Sequence, residues 1–141
     1  MSFLLDTCVL SETARPKPTR KVVDWLASQD ERQLYLSVLT LGELRKGIAK
    51  LPSGDKKHRL AAWVDSALVE RFEGRVLPVD IRVASAWGEM SGTCERAGRP
   101  LPVIDGLIAA TARVHGFTVV TRNSTHFADC DTPTVDPWSG S

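Results

Sequence analysis

Four oxygen-bearing side chains suggest chemistry, because each lies where one predicted structural element gives way to the next. They are Asp6, Glu43, Asp105 and Asn123. Three carboxylates gathered at one place would repel each other and take up protons unless a positive charge compensated them. Mg²⁺ or Mn²⁺ prefers such oxygen ligands and keeps waters that a substrate can displace. A site of this kind polarises phosphate oxygens and acidifies a bound water, so the pattern predicts phosphodiester hydrolysis.

Each of these side chains also has an ordinary structural explanation. Thr40-Leu41-Gly42-Glu43 fits a helix capping box, and for Glu43 alone capping is the stronger interpretation. Asp6 alone fits a helix cap or an Asx turn, and Asn123 alone is typical of a turn that tolerates left-handed dihedrals. Asp105 fits a first-turn acid that complements the helix dipole. It lies in the apolar stretch LPVIDGLIAA, however, where a buried carboxylate needs a positive partner, and this favours a functional role.

The elements that must position these residues alternate between strands and helices. Strands are predicted at residues 3–5, 33–37, 75–79 and 117–121, with one possible edge strand near Val135. Helices are predicted from about residue 10 to 14 and at 19–28, 40–51, 55–73, 81–97 and 102–115, the last one closed by Gly116 in a left-handed cap. This order predicts a three-layer α/β fold with a mainly parallel sheet.

The sheet explains why distant residues should meet. Ligands of open parallel sheets lie beyond the carboxyl ends of the strands. Asp6 and Thr7 follow the first predicted strand, and Thr121, Arg122 and Asn123 end the strand after Gly116. We therefore expect both groups on the same rim.

Composition narrows the classes of protein. The 141 residues are 43% hydrophobic and 25% charged, which fits one globular domain spanning residues 1–141. Apolar runs are too short for a membrane span, and no secretory signal opens the chain, so we expect a cytoplasmic protein without a membrane partner. Cys8, Cys94 and Cys130 are too widely spaced for a zinc site and are expected to be reduced thiols.

Charge alone does not identify a partner. The net charge of +1 gives no overall footprint for nucleic acid. Two basic runs occur, and for each one alone a solvated helix start or loop is the stronger interpretation. The first contains Arg15, Lys17, Arg20 and Lys21, and the second contains Lys56, Lys57, His58 and Arg59.

The sequence resembles the PIN-domain ribonucleases, in particular the VapC and FitB-like toxins of bacterial toxin–antitoxin pairs. The order and spacing of several short motifs over 130 residues carry the resemblance. They are LDTCVLSE at 5–12, RPKP at 15–18, LTLGEL at 39–44, PVIDGLIAATA at 102–112, VTRN at 120–123 with Phe127, and VDPW at 135–138.

The resemblance implies a compact α/β fold with about five parallel strands, Mg²⁺-dependent cleavage of RNA and a homodimer. It also implies a cognate VapB- or FitA-like antitoxin that blocks the cleft and represses its operon through DNA. By motif, the metal-binding acids are Asp6, Glu43 and Asp105. Asn123 matches a fourth catalytic position, and Thr7 and Thr121 are supporting residues. The basic residues available to guide RNA are Arg15, Lys17, Arg20 and Arg122.

Two positions depart from the family pattern. Cys8 replaces the more usual Asn after Asp-Thr, and His126 stands where an acid is common. Only three carboxylates remain, so a second ion would have weak anionic support, and one tightly held Mg²⁺ is expected, with Mn²⁺ able to substitute. The main alternative function is a weakly catalytic or non-catalytic module that binds its antitoxin and modulates repression. A dehalogenase-like phosphatase would need an acid at Cys8, and a dinucleotide fold would need a G-x-G-x-x-G motif.

Overall fold

A five-stranded parallel sheet forms the centre of the computed structural model, which describes residues 1–139 except the side chain of Asp129. The strands are short, and their order in the sheet is β3-β2-β1-β4-β5. Their bounds are Phe3–Leu5 (β1), Leu34–Ser37 (β2), Val76–Leu77 (β3), Thr118–Val120 (β4) and Thr134–Val135 (β5). Every neighbouring pair is parallel, which confirms the predicted sheet.

Helices connect the strands as crossovers. They are α1 (Thr7–Thr13), α2 (Arg20–Ala27), α3 (Val38–Ala49), α4 (Asp55–Ala62), α5 (Val69–Arg71), α6 (Ile81–Arg96), α7 (Val103–His115) and α8 (Ser124–Phe127). A π-helical segment, Trp63–Leu68, joins α4 to α5, and two 3₁₀ turns span Glu31–Gln33 and Ala128–Cys130.

Two apolar clusters on opposite faces of the sheet make the fold three-layered. Alternate side chains of β1 point to opposite faces. Phe3 and Leu5 pack with the buried face of α1 to α4, whereas Leu4 packs with that of α6 and α7. The three-layer α/β architecture is thus confirmed.

Several boundaries differ from the predicted ones. Helix α1 begins at Thr7, directly after β1, because the side chain of Asp6 caps it. The strand predicted at 75–79 contains only Val76 and Leu77, and the helix predicted at 55–73 is interrupted by the π-helical segment. The edge strand near Val135 and the left-handed cap at Gly116 (φ 71°) are confirmed. The extent of the domain, 1–141, stays a prediction, since residues 140–141 lie outside the described residues.

The topology places the ends of β1 and β4 side by side. The backbone N–H of Asp6 donates to the carbonyl of Val120 (2.9 Å), and the N–H of Thr121 donates to the carbonyl of Val135 (2.9 Å). Asp6 and Thr121 therefore meet at one rim, as the sequence predicts. Within residues 1–139, no helix is both long and apolar enough to cross a bilayer.

Candidate active site

Asp6 lies at the centre of the rim and is almost closed off from water, with 5% of its surface exposed. Its Oδ1 accepts the backbone N–H of Thr7 (2.8 Å), and its Oδ2 accepts the hydroxyl of Thr121 (2.8 Å). Burial raises the pKa of Asp6 above its ordinary value in spite of these hydrogen bonds, and the nearby charge of Asp105 raises it further. The fold thus holds this carboxylate in one orientation without compensating its charge.

Asp105 lies in the first turn of α7 and is partly open to solvent, with 23% of its side chain exposed. Its Oδ2 is 2.9 Å from Nδ1 of His126, and because an ionised carboxylate only accepts hydrogen bonds, the imidazole N–H donates. The next residue, Gly106, is buried against Trp87, whose ring would lie 3.1 Å from a β-carbon at that position. Close packing of α6 on α7 therefore sets the position of Asp105.

Glu43 joins the rim through Thr7 and does not cap α3. The hydroxyl of Thr7 donates to Oε1 of Glu43 over 2.5 Å, while the backbone N–H of the same threonine binds Asp6. The capping-box interpretation is wrong, because α3 begins at Val38, two residues before Thr40, and its N-cap is Ser37, whose hydroxyl accepts the N–H of Leu39 (3.0 Å).

Thr121 connects two polar groups from a fully buried position. Its hydroxyl donates to Asp6 and accepts the backbone N–H of Asn123 (2.9 Å). The side chain of Asn123 is exposed and makes no hydrogen bond within residues 1–139, and its backbone is not left-handed (φ −98°). The structure therefore brings Thr121 into contact with the acidic centre but leaves the amide of Asn123 at its edge.

Two residues that depart from the family pattern lie in the site itself. His126 contacts Asp105, as described above. The sulfur of Cys8 is 3.8 Å from both Asp6 Oδ2 and the hydroxyl of Thr121, and it accepts the N–H of Arg122 (3.5 Å). Burial raises the pKa of the Cys8 thiol, so it remains protonated at neutral pH. The contact between Asp105 and His126 was missed from the sequence, where only the replacement of an acid signalled that position.

The carboxylates share one rim, yet each has its own hydrogen-bond partner. In the described part of the chain, no three His, Cys, Asp or Glu side chains are arranged to bind one ion. Thr7 binds Glu43, and His126 binds Asp105. Asp6 nevertheless has no Lys or Arg partner there. The carboxylates of Asp6 and Asp105 are oxygen donors that fit a hard divalent cation with several waters, and Glu43 is bound to the same threonine as Asp6.

The predicted RNA-guiding residues do not form one cluster. Arg15 pairs with Glu12 (3.5 Å) near the end of α1, and Arg122 follows Thr121 at the rim. Arg20 pairs with Asp24 on the exposed surface of α2 (3.3 Å), and Lys17 is exposed between the two helices. Arg122 thus touches the site through its backbone N–H, and Arg15 lines the cavity that opens beside Thr7 and Glu43.

Comparison with known protein families shows to which family the chain belongs. The model of the PIN domain matches residues 3–131, which is most of the chain. The chain belongs to the PIN-domain family. PIN-domain ribonucleases in general depend on a divalent metal, which agrees with the donor set at the rim.

The relatives of this PIN domain cover nearly its whole length. It is 40% identical to the toxin FitB of Neisseria gonorrhoeae over 136 residues, covering 96% of this chain and 98% of the relative. It is 34% identical to the VapC ribonuclease Y4jK of Sinorhizobium fredii, with coverage of 96% and 97%. A solved structure of FitAB bound to an IR36 DNA fragment superposes with a TM-score of 0.90 at 39% identity, covering 96% and 95% of the two chains.

Proposed function

We propose that this protein is the endoribonuclease toxin of a toxin–antitoxin pair and hydrolyses RNA phosphodiesters at the rim around Asp6. The observation that carries the proposal is the buried Asp6, whose raised pKa reflects a charge that burial and Asp105 leave uncompensated. Relatives of nearly equal length named as a toxin and as a VapC ribonuclease support the same activity.

Asp6 and Asp105 would hold the divalent ion, with Glu43 close enough to help through an intervening water. We propose Mg²⁺ as the ion, with Mn²⁺ able to substitute, because the side chains offer mainly oxygen donors, the exceptions being His126 and the Cys8 thiol, whose pKa is raised. When bound, such an ion supplies charge neutralisation at phosphate and a more acidic water.

The protein's own residues orient the Asp6 carboxylate and supply a base that accepts a proton. The N–H of Thr7 and the hydroxyl of Thr121 fix the two oxygens of Asp6, so the carboxylate needs little reorganisation when substrate arrives. Oε1 of Glu43 is occupied by the Thr7 hydroxyl, whereas Oε2 has no hydrogen bond within residues 1–139. Because Asp105 would hold the ion and is also bound by His126, Oε2 of Glu43 is the base that remains to take the proton of an attacking water.

A partner is proposed from the comparisons and from the surface. In the solved FitAB structure, a chain similar to this protein and its partner are bound to a DNA fragment. In this protein a cavity of about 410 Å³ opens beside Thr7 and Glu43, and its walls are mainly apolar side chains of α3, Leu60 and Trp63. We propose that a VapB- or FitA-like antitoxin fills this cavity and covers Glu43. A homodimer acting in the cytoplasm completes the proposal.

The second candidate function is a module that acts mainly through its antitoxin on DNA, which the DNA-bound FitAB structure favours. Expression in bacteria without the antitoxin separates the two. Growth arrest that requires Asp6 supports the nuclease, and unaffected growth supports the module.

Cleavage of end-labelled RNA tests the enzyme directly. We expect cleavage with Mg²⁺, none after EDTA, and recovery on adding Mg²⁺ or Mn²⁺. Asp6→Asn and Asp105→Asn should remove cleavage, whereas the control Asp24→Asn on the surface of α2 should retain it. Activity that survives both EDTA and the two site substitutions would overturn the proposal.

A further inference from the structure

The C-terminal segment Val135–Trp138, the VDPW motif, is not explained by the acidic site. Its first residue ends β5 and accepts the backbone N–H of Thr121. Asp136 then folds the chain back, because its Oδ1 accepts the N–H of Trp138 (2.9 Å), and Pro137 is buried. The segment is thereby anchored to the end of β4, the strand that delivers Thr121 to the rim.

Trp138 presents its ring to Arg122. The guanidinium carbon of Arg122 lies 4.4 Å from the ring centroid, a cation–π distance. The backbone N–H of the same arginine donates to Cys8, whose sulfur is 3.8 Å from Asp6. Arg122 is therefore attached at both ends, by its backbone beside the acidic centre and by its side chain on the indole.

Two other arginines also stack on an aromatic ring, and the comparison shows what distinguishes Arg122. Arg71 and Arg75 lie 4.9 Å from the ring of Phe72, but both also pair with Glu31, at 2.9 and 3.2 Å. Arg122 is exposed, and no carboxylate pairs with it within residues 1–139. Its stacking holds a guanidinium whose hydrogen-bond donors remain available.

That arrangement fits a phosphate. A planar guanidinium stacked on an aromatic face keeps its N–H groups at the edge, where they match two phosphate oxygens, and stacking removes the freedom that an arginine otherwise loses on binding. The backbone of RNA supplies such phosphates on either side of the bond to be cut. The acidic rim itself repels them, so a cation held next to it has a clear use.

We propose that Trp138 is a positioning residue that holds the guanidinium of Arg122 at the edge of the acidic rim to bind a backbone phosphate of the RNA substrate. This inference rests on the proposed nuclease function. Trp138 also packs on the apolar cluster that contains β1 and α1, so a purely structural role must be separated from the positioning role.

Substituting Trp138 by Leu and by Phe separates the structural role from the positioning role. Trp138→Leu keeps an apolar side chain in the cluster but removes the ring, and Trp138→Phe keeps a ring with a weaker attraction for cations. We expect Trp138→Leu to raise the KM for a single-stranded RNA by about 10-fold with kcat nearly unchanged, and Trp138→Phe to have a smaller effect. The slope of log Kd against log salt should fall by about one phosphate contact.

Arg122→Ala should reproduce these effects, and the double variant Arg122→Ala/Trp138→Leu should add nothing further, because the two residues act through one contact. Arg71→Ala is the matched control, since it removes a stacked arginine at the opposite end of the sheet and should leave KM unchanged. Thermal unfolding of each variant checks that the fold is retained, and if Trp138→Leu is unfolded, Trp138→Phe is judged by the same criteria.

The outcomes distinguish this inference from the function on which it rests. Cleavage by the wild type, with Trp138 variants that keep the wild-type KM and salt slope, or with effects that add to those of Arg122→Ala, would overturn the positioning role alone. A wild-type protein that neither binds nor cleaves RNA would overturn the proposed function and this inference with it.

Discussion

Helix α1 carries a buried carboxylate at each end, and the two have opposite pKa shifts. Asp6 caps its start and Glu12 lies in its last turn, with exposures of 5% and 3%. A helix dipole would favour the negative charge at the first position and disfavour it at the second. The pKa of Asp6 is nevertheless raised, whereas that of Glu12 is lowered.

The difference comes from the partners that the fold supplies. Oε2 of Glu12 accepts the backbone N–H of Thr19 (2.9 Å), which joins α1 to the start of α2, and this bond contributes most to its lowered pKa. The charge of Arg15 lowers it further. Asp6 receives hydrogen bonds but no cation, and it lies near a second carboxylate.

Burial alone therefore does not identify a functional acid. Glu12 is compensated by the chain and serves to hold two helices together. The charge of Asp6 is left for something outside the chain to compensate, and this is the physical basis for assigning the site to Asp6.

The largest effect that separates these acids is on activity. Asp6→Asn should lower the rate of RNA cleavage by more than about 100-fold, because even residues that only orient a metal ligand account for about 10- to 100-fold. Glu12→Gln should leave the rate close to that of the wild type. Initial rates on one labelled RNA at saturating Mg²⁺ measure the activity of both variants. Equal losses of activity in the two variants would contradict the distinction between Asp6 and Glu12.

A smaller loss is expected at His126. Its N–H holds Asp105 without touching Asp6, so His126→Ala should lower cleavage by about 10-fold through a less well oriented carboxylate. The same assay measures this effect, with His58→Ala on the exposed surface of α4 as the control. Wild-type activity in His126→Ala would show that the contact with Asp105 has no catalytic consequence.

The smallest effect is the pH dependence of stability at Glu12. Because its folded pKa is lowered, Glu12 stabilises the fold at pH values above its unfolded pKa, and this contribution is lost as the pH falls through the folded value. Glu12→Gln should therefore be less stable than the wild type at pH 7, and the gap should close below about pH 4. Urea unfolding at several pH values measures the gap, and a gap that widens in acid would contradict this assignment.

The fold could be predicted from the sequence because it depends on regular patterns. Alternating apolar segments determine which faces of the sheet are covered, and the ends of parallel strands lie on one rim. This reasoning correctly placed Asp6 and Thr121 together. It could not decide between a cap and a site for Asp6, and the structure shows that the residue caps α1 while lying at the rim.

Other features depend on tertiary contacts that have no local signal. Thr40 and Glu43 match a capping box, but Ser37 caps the helix first and releases Glu43 to bind Thr7. The compensation of Glu12 requires the backbone N–H of Thr19, which lies beyond the end of α1. The π-helical segment Trp63–Leu68 contains no Gly or Pro, so the sequence gives no local signal for it.

The central claim is that the charge of Asp6 is left for a metal ion to compensate. The sign of the stability change in Asp6→Asn, measured with and without metal, tests this claim most directly. A carboxyl with a raised folded pKa stabilises the fold below its unfolded pKa and costs stability as the pH rises through the folded value. Without metal at pH 7, Asp6→Asn should therefore be more stable than the wild type. With Mn²⁺ at 100 times its Kd, the wild type gains about 2.7 kcal/mol and becomes the more stable protein. A variant that is less stable under both conditions, or a wild type that Mn²⁺ and Mg²⁺ do not stabilise, would contradict the account.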